Sequence, residues 1–535
     1  MTTAHVDTFA RDRLPPPALQ PEFLYELPSL QFPARLNAAV ELLDRQVERH
    51  ADRPCLVDAH GAWSYRELRD RVDRIAHVLV QELGVVPGAR VLLRAPNRSL
   101  LAACWLAVVK AGAIAVATMP LLRAKELRTV IALGQVTHAL CDVALADELR
   151  AAADGGPLQT IRCFGDPGAA DGLEAAMARH PGPFTAVDTA ADDLCILAFT
   201  SGTTGVPKGT LHGHRDVMSA CACWPPHVLR PVADDVFIGS PPLAFTFGLG
   251  GLLLFPLSVG ASSVLLDKAA PAQLLEGIQR HRATVLFTAP TSYRALAPQA
   301  AVLRGGPLRK CVSAGEALPA ATRALWREAT GLELIDGIGA TELLHIFISA
   351  DEHEARPGAT GRPVPGYRAE VVDDAGRPVP AGVVGQLRVK GPTGCRYLDD
   401  PRQARYVRDG WNYPGDAYSV DADGYFHHHA RTDDMIVSAG YNIAAPEVEE
   451  ALLQHPAVAE CGVAGVPDEE RGQVVQAWVV LRPGQPADEA QVRALQDFVK
   501  QTVAPYKYPR RIAFVAELPR TATGKLQRHR LAHPG

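Results

Sequence analysis

The sequence lacks any C-x-x-C pair, and its ten cysteines are scattered along 535 residues. Cys221 and Cys223 stand two positions apart, a spacing that suits neither a zinc knuckle nor a dithiol redox motif. Three adjacent histidines, at 427–429, do not converge on one metal ion, which favours a surface or strand-edge run. We therefore expect buried, reduced thiols in a cytoplasmic protein.

A strong charge of one sign and a long apolar run are missing as well. The net charge of -5 at pH 7 indicates no nucleic-acid or membrane-surface partner. The longest apolar stretch, residues 101–122, is interrupted by Lys110, Gly112 and Pro120, so it predicts a buried helix and a buried strand rather than a membrane span. The charged N-terminus has no apolar stretch behind it, and we expect no signal peptide.

Strands and helices alternate through most of the chain, which is too long for a single core. A strand at 90–94, a helix from Ser99 and a strand from Ala113 form a βαβ unit, and such units build parallel, buried sheets. After about residue 366, short strands and turns follow, and a compact unit begins after Arg431. The sequence therefore predicts an α/β fold with a large N-terminal domain of stacked βαβ sheets, a small β-rich subdomain and a small mobile C-terminal α+β domain.

Two helices are predicted individually, the first from a capping signal. Ser64 and Glu67 have the spacing of a capping box, which predicts a helix from there to about Leu83. A second helix is predicted at 489–502, inside the C-terminal unit.

A polar, glycine-rich loop at 200–209 follows an apolar strand at 194–199. Its glycines let backbone N–H groups approach an anion, its hydroxyls donate hydrogen bonds, and Lys208 supplies positive charge. The order differs from that of a Walker-type P-loop, because Pro207 precedes Lys208 and Gly209 follows it. The loop predicts a phosphate-binding site.

The loop resembles the phosphate-loop signature of the acyl-adenylate-forming superfamily, which includes acyl-CoA synthetases, peptide-synthetase adenylation domains and luciferases. Four further segments resemble motifs of that family in the expected order: residues 338–342, 411–416, 431–440 and 519–525. The resemblance covers nearly the whole chain. It implies a ligase that uses ATP and Mg²⁺ to form an acyl-AMP and then transfers the acyl group to coenzyme A.

The resemblance also implies which residues bind ATP. Lys525, Thr341, Glu342 and Lys208 would be catalytic, with Glu342 as the metal ligand, because its carboxylate is a hard oxygen donor suited to Mg²⁺. The remaining ATP and AMP contacts would be Thr200, Ser201, Gly202, Thr203, Thr204, Gly205, Gly315, Glu316, Ala317, Asp336, Gly337, Ile338, Gly339, Asp416 and Arg431. Asp416 would accept from the ribose hydroxyls, and Asp336 would contact the adenine amino group.

The family pattern implies a chain in two parts. Residues 1–430 would form the adenylation core, 431–433 the hinge around Asp433, and 434–535 a mobile domain that carries Lys525. After adenylation the small domain would rotate and present a path for the thiol past Gly440 and Tyr441.

The acid would bind beside residues 242–250, which are apolar and aromatic and contain no charged side chain. The predicted pocket comprises Ser240, Ala244, Phe245, Ser313, Ala314, Gly339 and His345. This composition suits a planar aromatic ring, and the flanking segments resemble benzoate-type CoA ligases, among them 2-aminobenzoate (anthranilate)–CoA ligases. His345 would either hydrogen-bond a ring substituent or contribute only shape.

The sequence departs from the family motifs at two positions, and several alternative functions stay open. Ile338 stands where the family has an aromatic ring, and Pro414 replaces a motif threonine. The thiol could belong to a carrier-protein phosphopantetheine instead of free CoA, and the chain could form a homodimer. Retention of Lys525, Thr341 and Glu342 disfavours a non-catalytic nucleotide sensor, and no G-x-S-x-G elbow supports a serine nucleophile.

Overall fold

The computed structural model describes residues 2–200, 207–431, 435–438, 441–468, 471–503, 505–520 and 526–532. Four sheets and the helices around them account for the architecture. It is the α/β arrangement predicted from the sequence, with a large N-terminal part, a β-rich subdomain and a small C-terminal unit.

The largest sheet has nine strands in the described part of the chain. Its six central strands are parallel, and antiparallel strands flank them at both edges. In spatial order the strands are Arg362–Pro363, Ile346–Ser349, Leu334–Gly339, Lys310–Ala314, Val285–Thr288, Val236–Gly239, Ser262–Val264, Pro54–Asp58 and Gly61–Ser64.

The second sheet has six strands and contains the predicted βαβ unit. Its order is Thr160–Phe164, His138–Asp142, Arg90–Arg94, Ile114–Thr118, Leu194–Thr200 and Lys208–Gly213, with only the last pair antiparallel. The apolar stretch at 101–122 is the buried helix Ser99–Lys110 followed by the strand Ile114–Thr118, as predicted. Within the described ranges, no helix combines the length and apolarity needed to cross a membrane.

Helices cover the faces of these sheets, so that the parallel strands are buried on both sides. The α-helices are Arg45–His50, Tyr65–His77, Ser99–Lys110, Ala124–Gly134, Ala146–Ala153, Leu173–Ala178, His214–Trp224, Thr246–Leu249, Phe255–Val259, Pro271–Arg280, Pro290–Leu296, Ala320–Thr330, Gln403–Tyr406, Ala445–Leu453, Glu489–Thr502 and Arg528–Ala532. Wider π turns occupy Val40–Asp44, Val78–Glu82, Pro225–Leu229 and Gly250–Leu254. Short 3-10 turns occupy Arg11–Arg13, Pro17–Leu19, Pro28–Leu30, Val143–Leu145, Ala297–Leu303, Thr341–Leu343 and Pro505–Lys507.

Both individually predicted helices are present. Ser64 accepts from the backbone N–H of Glu67, and the Glu67 carboxylate accepts from the backbone N–H of Ser64, which satisfies two N–H groups that the first turn leaves free. This helix ends as an α-helix at His77 and continues as a π turn to Glu82. The helix Glu489–Thr502 has the predicted bounds.

Two smaller sheets complete the fold. The third contains Arg368–Val372, Gly385–Lys390, Val407–Arg408, Trp411–Asn412, Asp416–Val420 and Phe426–Arg431, all paired antiparallel. The fourth lies in the C-terminal unit and contains Met435–Ser438, Tyr441–Ala444, Val458–Asp468, Gly472–Leu481 and Arg511–Phe514. The C-terminal unit has its own apolar core, formed by residues between 436 and 514.

Candidate active site

A large cleft of about 3120 Å³ opens where the first three sheets and the C-terminal unit meet. It lies beyond the carboxyl ends of parallel strands in the first two sheets, where side chains of successive strands converge. The predicted site residues that line it are Thr200, Lys208, Ser240, Ala244, Phe245, Ala314, Gly315, Glu316, Ala317, Asp336, Gly337, Ile338, Gly339, Thr341, Glu342, His345, Asp416 and Arg431.

Several predicted residues are not part of this lining. Ser313 is fully buried behind the cleft wall, and its neighbour Ala314 faces the cleft instead. Ser201, Gly202, Thr203, Thr204, Gly205, Asp433, Gly440 and Lys525 lie outside the described residues, and the backbone but not the side chain of Tyr441 is described.

The two ends of the predicted phosphate loop lie next to each other. Thr200 ends one strand of an antiparallel pair and Lys208 begins the other, and the two residues pair directly. Lys208 thus extends from a backbone that the second sheet fixes.

The adjacent Thr341 and Glu342 sit on the 3-10 turn Thr341–Leu343. Nε2 of His212 lies 2.7 Å from the Thr341 carbonyl, and a proton on this nitrogen would donate to it. Leu344 then has φ of +67°, a region that leucine rarely adopts, and the chain turns sharply before His345. Glu342 on this turn and His345 just after it both line the cleft.

The side chains of Glu342 and Lys208 are linked by hydrogen bonds to the hydroxyl of one tyrosine. The hydroxyl of Tyr397 donates to Glu342 Oε1 at 2.5 Å, and Lys208 Nζ donates to the same hydroxyl at 2.9 Å. Lys208 Nζ and Glu342 Oε1 are 3.8 Å apart. Burial and the charge of Glu342 raise the pKa of Tyr397 well above its ordinary value, so the phenol stays protonated.

The donors present fit a Mg²⁺ ion shared with a nucleotide. Glu342 offers one nearly buried carboxylate, and no described residue contacts its Oε2. Magnesium in nucleotide enzymes is held by one or two carboxylates together with substrate phosphates and water. Over the described ranges no group of three or more His, Cys, Asp or Glu residues could hold a metal by itself, which also applies to the histidines at 427–429.

The part of the cleft predicted to bind the ribose contains a carboxylate held by two basic side chains. Asp416 is 7% exposed and lies 3.1 Å from Arg431, whose guanidinium also donates to the Pro414 carbonyl at 2.8 Å. On its other oxygen, Asp416 is 3.6 Å from Nε2 of His428. The contacts hold Asp416 rigidly, as an acceptor for two adjacent hydroxyls must be held.

Asp336 has an unusual protonation state. Burial raises its pKa to about 7, although the charge of Arg323 acts in the opposite direction. The carboxyl group therefore changes charge near neutral pH, within the part of the cleft assigned to adenine.

The part of the cleft predicted to bind the acid is apolar and aromatic. His345 is 4% exposed and lies among the rings of Phe255, Trp224 and Phe247, at centroid distances of 4.5, 5.7 and 5.9 Å. Neither ring nitrogen has a partner within hydrogen-bond geometry in the described part of the chain, although the backbone of Phe247 lies near enough to oppose the lowering of the His345 pKa. Burial lowers the pKa of His345 to about 3, so the imidazole is neutral at any ordinary assay pH.

Three residues that contact the predicted site were missed from the sequence: Tyr397, His212 and His428. Tyr397 and His212 have no local signal, because each is far along the chain from its partner. His428 was visible in the histidine run, but strand alternation places it against Asp416, while His427 contacts Asp421 and His429 contacts Ser419. The run is indeed on a strand, Phe426–Arg431.

Comparison with known proteins agrees with this geometry. A family model described as AMP-binding enzyme matches residues 43–396, and one described as AMP-binding enzyme C-terminal domain matches residues 447–525. Benzoate–CoA ligase of Thauera aromatica is 36% identical, over 94% of this chain and 97% of that protein. 3-Hydroxybenzoate–CoA ligase of Aromatoleum sp. (strain CIB) is 33% identical, over 93% and 96%.

Solved structures give the same result. The crystal structure of an anthranilate CoA ligase in complex with anthranoyl-AMP superimposes with a TM-score of 0.88 at 36% identity, covering 94% of this chain and 98% of that one. A benzoate CoA ligase from Burkholderia xenovorans LB400 superimposes with a TM-score of 0.86 at 33% identity, covering 93% and 100%.

Proposed function

This chain belongs to the AMP-binding enzyme family, and from that premise we propose that it is an aryl-CoA ligase whose acid is 2-aminobenzoate. As an AMP-forming acid–thiol ligase it converts an aromatic acid, ATP and CoA into aryl-CoA, AMP and pyrophosphate. The choice of acid within the benzoate class is the specific part of the proposal.

The observation that carries this choice is the neutral, unpartnered imidazole of His345 at the aromatic end of the cleft. A buried polar group without a partner is unfavourable, and a ligand that pairs with it removes that penalty. A neutral imidazole nitrogen without its proton is an acceptor, and an ortho amine is a donor of matching size. Benzoate could fill the same apolar space but would leave the nitrogen unpaired.

The first half-reaction joins two anions, so positioning and charge screening must supply most of the acceleration. An oxygen of the acid attacks the α-phosphorus, the bond from that phosphorus to the bridging oxygen breaks, and pyrophosphate leaves. We assign Lys208 and the loop that precedes it to the outer phosphates, and Thr341 to the α-phosphate. Magnesium bound at Glu342 would supply further screening of the phosphate charge.

The second half-reaction transfers the acyl group. The CoA thiol sulfur attacks the carbonyl carbon of the mixed anhydride, AMP leaves with the electrons of the broken C–O bond, and the thiol proton passes to solvent. We propose that residues 434–535 move about Asp433 between the two steps, that Lys525 serves only the first, and that Gly440 and Tyr441 line the thiol path.

A substrate panel tests the proposal. AMP and pyrophosphate release would be measured with benzoate, 2-aminobenzoate, the hydroxybenzoates and a fatty acid, each with and without free CoA. We expect the highest kcat/KM with 2-aminobenzoate, and full turnover with free CoA. Stronger activity with benzoate would contradict the choice of acid, and turnover that needs a phosphopantetheinylated carrier protein would replace CoA as the acceptor.

A further inference from the structure

Tyr397 is a buried tyrosine that the reaction scheme above leaves without a role. It is 1% exposed, and its ring packs edge-on against Tyr406 at a centroid distance of 5.7 Å. Its backbone N–H donates to Oε1 of Gln403 at 2.9 Å, and Nε2 of Gln403 donates in turn to the Cys395 carbonyl at 3.0 Å. These contacts fix the ring, and its hydroxyl reaches Lys208 and Glu342 at the cleft.

The direction of the two hydrogen bonds on that hydroxyl follows from the groups involved. Lysine ammonium has donors and no acceptor, and an ionised carboxylate has acceptors and no donor. The single phenol proton must therefore point at Glu342, at 2.5 Å, while the oxygen accepts from Lys208 at 2.9 Å.

If the Tyr397 hydroxyl were absent, Lys208 and Glu342 would be close enough to form a direct ion pair. They are 3.8 Å apart now, and a relaxed pair of this kind closes to about 2.8 Å. Such a pair would engage the lysine that is assigned to ATP phosphates and the carboxylate that is assigned to the cation. Both charges would then be partly neutralised before substrate arrives.

We propose that Tyr397 is a positioning residue that keeps Lys208 and Glu342 apart as two separately oriented charges. The hydroxyl donates to Oε1 of Glu342 and accepts from one N–H of Lys208. No described residue contacts Oε2 of Glu342, which leaves this oxygen for a cation, and no other described residue accepts from Lys208. This inference rests on the proposed function, because it gives Tyr397 a part in binding the metal–ATP complex.

Tyr397→Phe removes this hydroxyl and leaves the ring contacts in place. The matched control is Tyr406→Phe, because Tyr406 is the ring packed against Tyr397. Its hydroxyl is also buried, but it has no hydrogen-bond partner among the described residues. Both variants lose one oxygen from the same aromatic pair, and only one of those oxygens touches the charged groups. Thermal melts of both proteins check that the fold is kept.

Two readouts separate a positioning role from a packing role. The first is the affinity for ATP by calorimetry, with Mg²⁺ and with a chelator in its place, which needs neither the acid nor turnover. The second is the Mg²⁺ dependence of pyrophosphate release. For Tyr397→Phe we expect the Kd for MgATP and the half-saturating Mg²⁺ concentration to rise about tenfold. This is the change in affinity that corresponds to the loss of one hydrogen bond to a charged group. We expect an unchanged KM for the aromatic acid. The Kd for metal-free ATP should rise as well, but by less than the Kd for MgATP, because only the engagement of Lys208 acts when the metal is absent.

Wild-type magnesium dependence in a stable Tyr397→Phe protein would overturn the inference. So would an equal shift in Tyr406→Phe, because it would make the effect one of core packing. Failure of the proposed function looks different: wild-type protein would form no acyl-AMP from any aromatic acid, while the calorimetric comparison of the two variants would still decide the role of Tyr397.

Discussion

Replacing His345 with leucine isolates what its imidazole does, because leucine fills similar space and carries no polar atom. Two opposing effects act on stability. Loss of an unpartnered buried polar group should stabilise the folded protein by about 1–3 kcal/mol. Loss of ring contacts to Phe255, Trp224 and Phe247 should destabilise it by about 0.5–1.5 kcal/mol for each well-formed pair. Over three pairs this destabilisation totals about 1.5–4.5 kcal/mol, so at pH 8 the variant should be about 1 kcal/mol less stable than the wild type.

The pH dependence of stability should separate the two proteins clearly. In the folded state the pKa of His345 is about 3, lowered by burial, whereas an unfolded histidine has a pKa of about 6.5. Below pH 6.5 the unfolded state binds a proton that the folded state cannot, so the wild type loses stability as the pH falls towards 3. Between pH 8 and pH 5 this loss amounts to about 2 kcal/mol, because its slope approaches about 1.36 kcal/mol per unit only well below pH 6.5. The His345→Leu variant should not show this acid-dependent loss of stability.

Substrate selectivity should change as well. If a ring nitrogen accepts from the ortho amine, the variant loses one neutral hydrogen bond with 2-aminobenzoate and none with benzoate. At about 1 kcal/mol, the ratio of kcat/KM for 2-aminobenzoate to that for benzoate should fall about fivefold.

The assays are urea denaturation at pH 8 and pH 5 and initial rates with both acids. His214→Gln serves as a control, because burial also lowers the pKa of His214 to about 3, and its Nδ1 accepts from Ala38 outside the cleft. It should reduce the acid sensitivity and leave the selectivity ratio unchanged. An equal loss of kcat/KM for both acids in His345→Leu would show that His345 contributes shape alone. Unchanged acid sensitivity would refute the neutral, buried imidazole.

Four further changes test other parts of the site. Asp336 has a pKa of about 7, so protonation below that pH should remove its charge and raise the KM for ATP, and Asp336→Asn should flatten this pH profile of KM. Lys525→Ala should nearly abolish acyl-AMP formation yet leave thioester formation from supplied acyl-AMP close to normal; equal loss in both assays would reject separate roles for the two steps. Asp433→Pro, which fixes φ near about -65°, should spare adenylation and slow the thioester step, and two fast steps would place the hinge elsewhere. Gly250→Ala should raise the KM for aromatic acids but not for ATP, because a Cβ there would overlap the ring of His345.

Local patterns account for what could be predicted of the fold. Alternating strands and helices identified the βαβ sheets, because a buried parallel strand and its covering helix are encoded in consecutive residues. The capping residues Ser64 and Glu67 marked the start of a helix, because that contact spans only one turn. The continuation of this helix as a π turn after His77 was not predicted, since its apolar periodicity does not change there.

The candidate site divides in the same way. Segments such as 200–209 and 338–342 are continuous in sequence, so their chemistry and their order along the chain identified the family. Ser313 was placed in the acyl pocket because its neighbours belong there, yet it is buried behind Ala314. Which face of a strand borders the cleft depends on how helices pack on the sheet, and the strand's own residues do not decide it.

By itself, therefore, the sequence determined the adenylating chemistry and the α/β class, and nearly all of the site residues it predicts within the described ranges line the cleft. Only the tertiary structure decided how their charges are held: Tyr397 reaches Glu342 across 55 positions and Lys208 across 189, and His212 reaches Thr341 across 129. It also decided that His345 is neutral and that Asp336 titrates near pH 7. The physical reason is that motifs record contacts between neighbours in the chain, whereas the burial, pairing and pKa of a group depend on every element that packs around it.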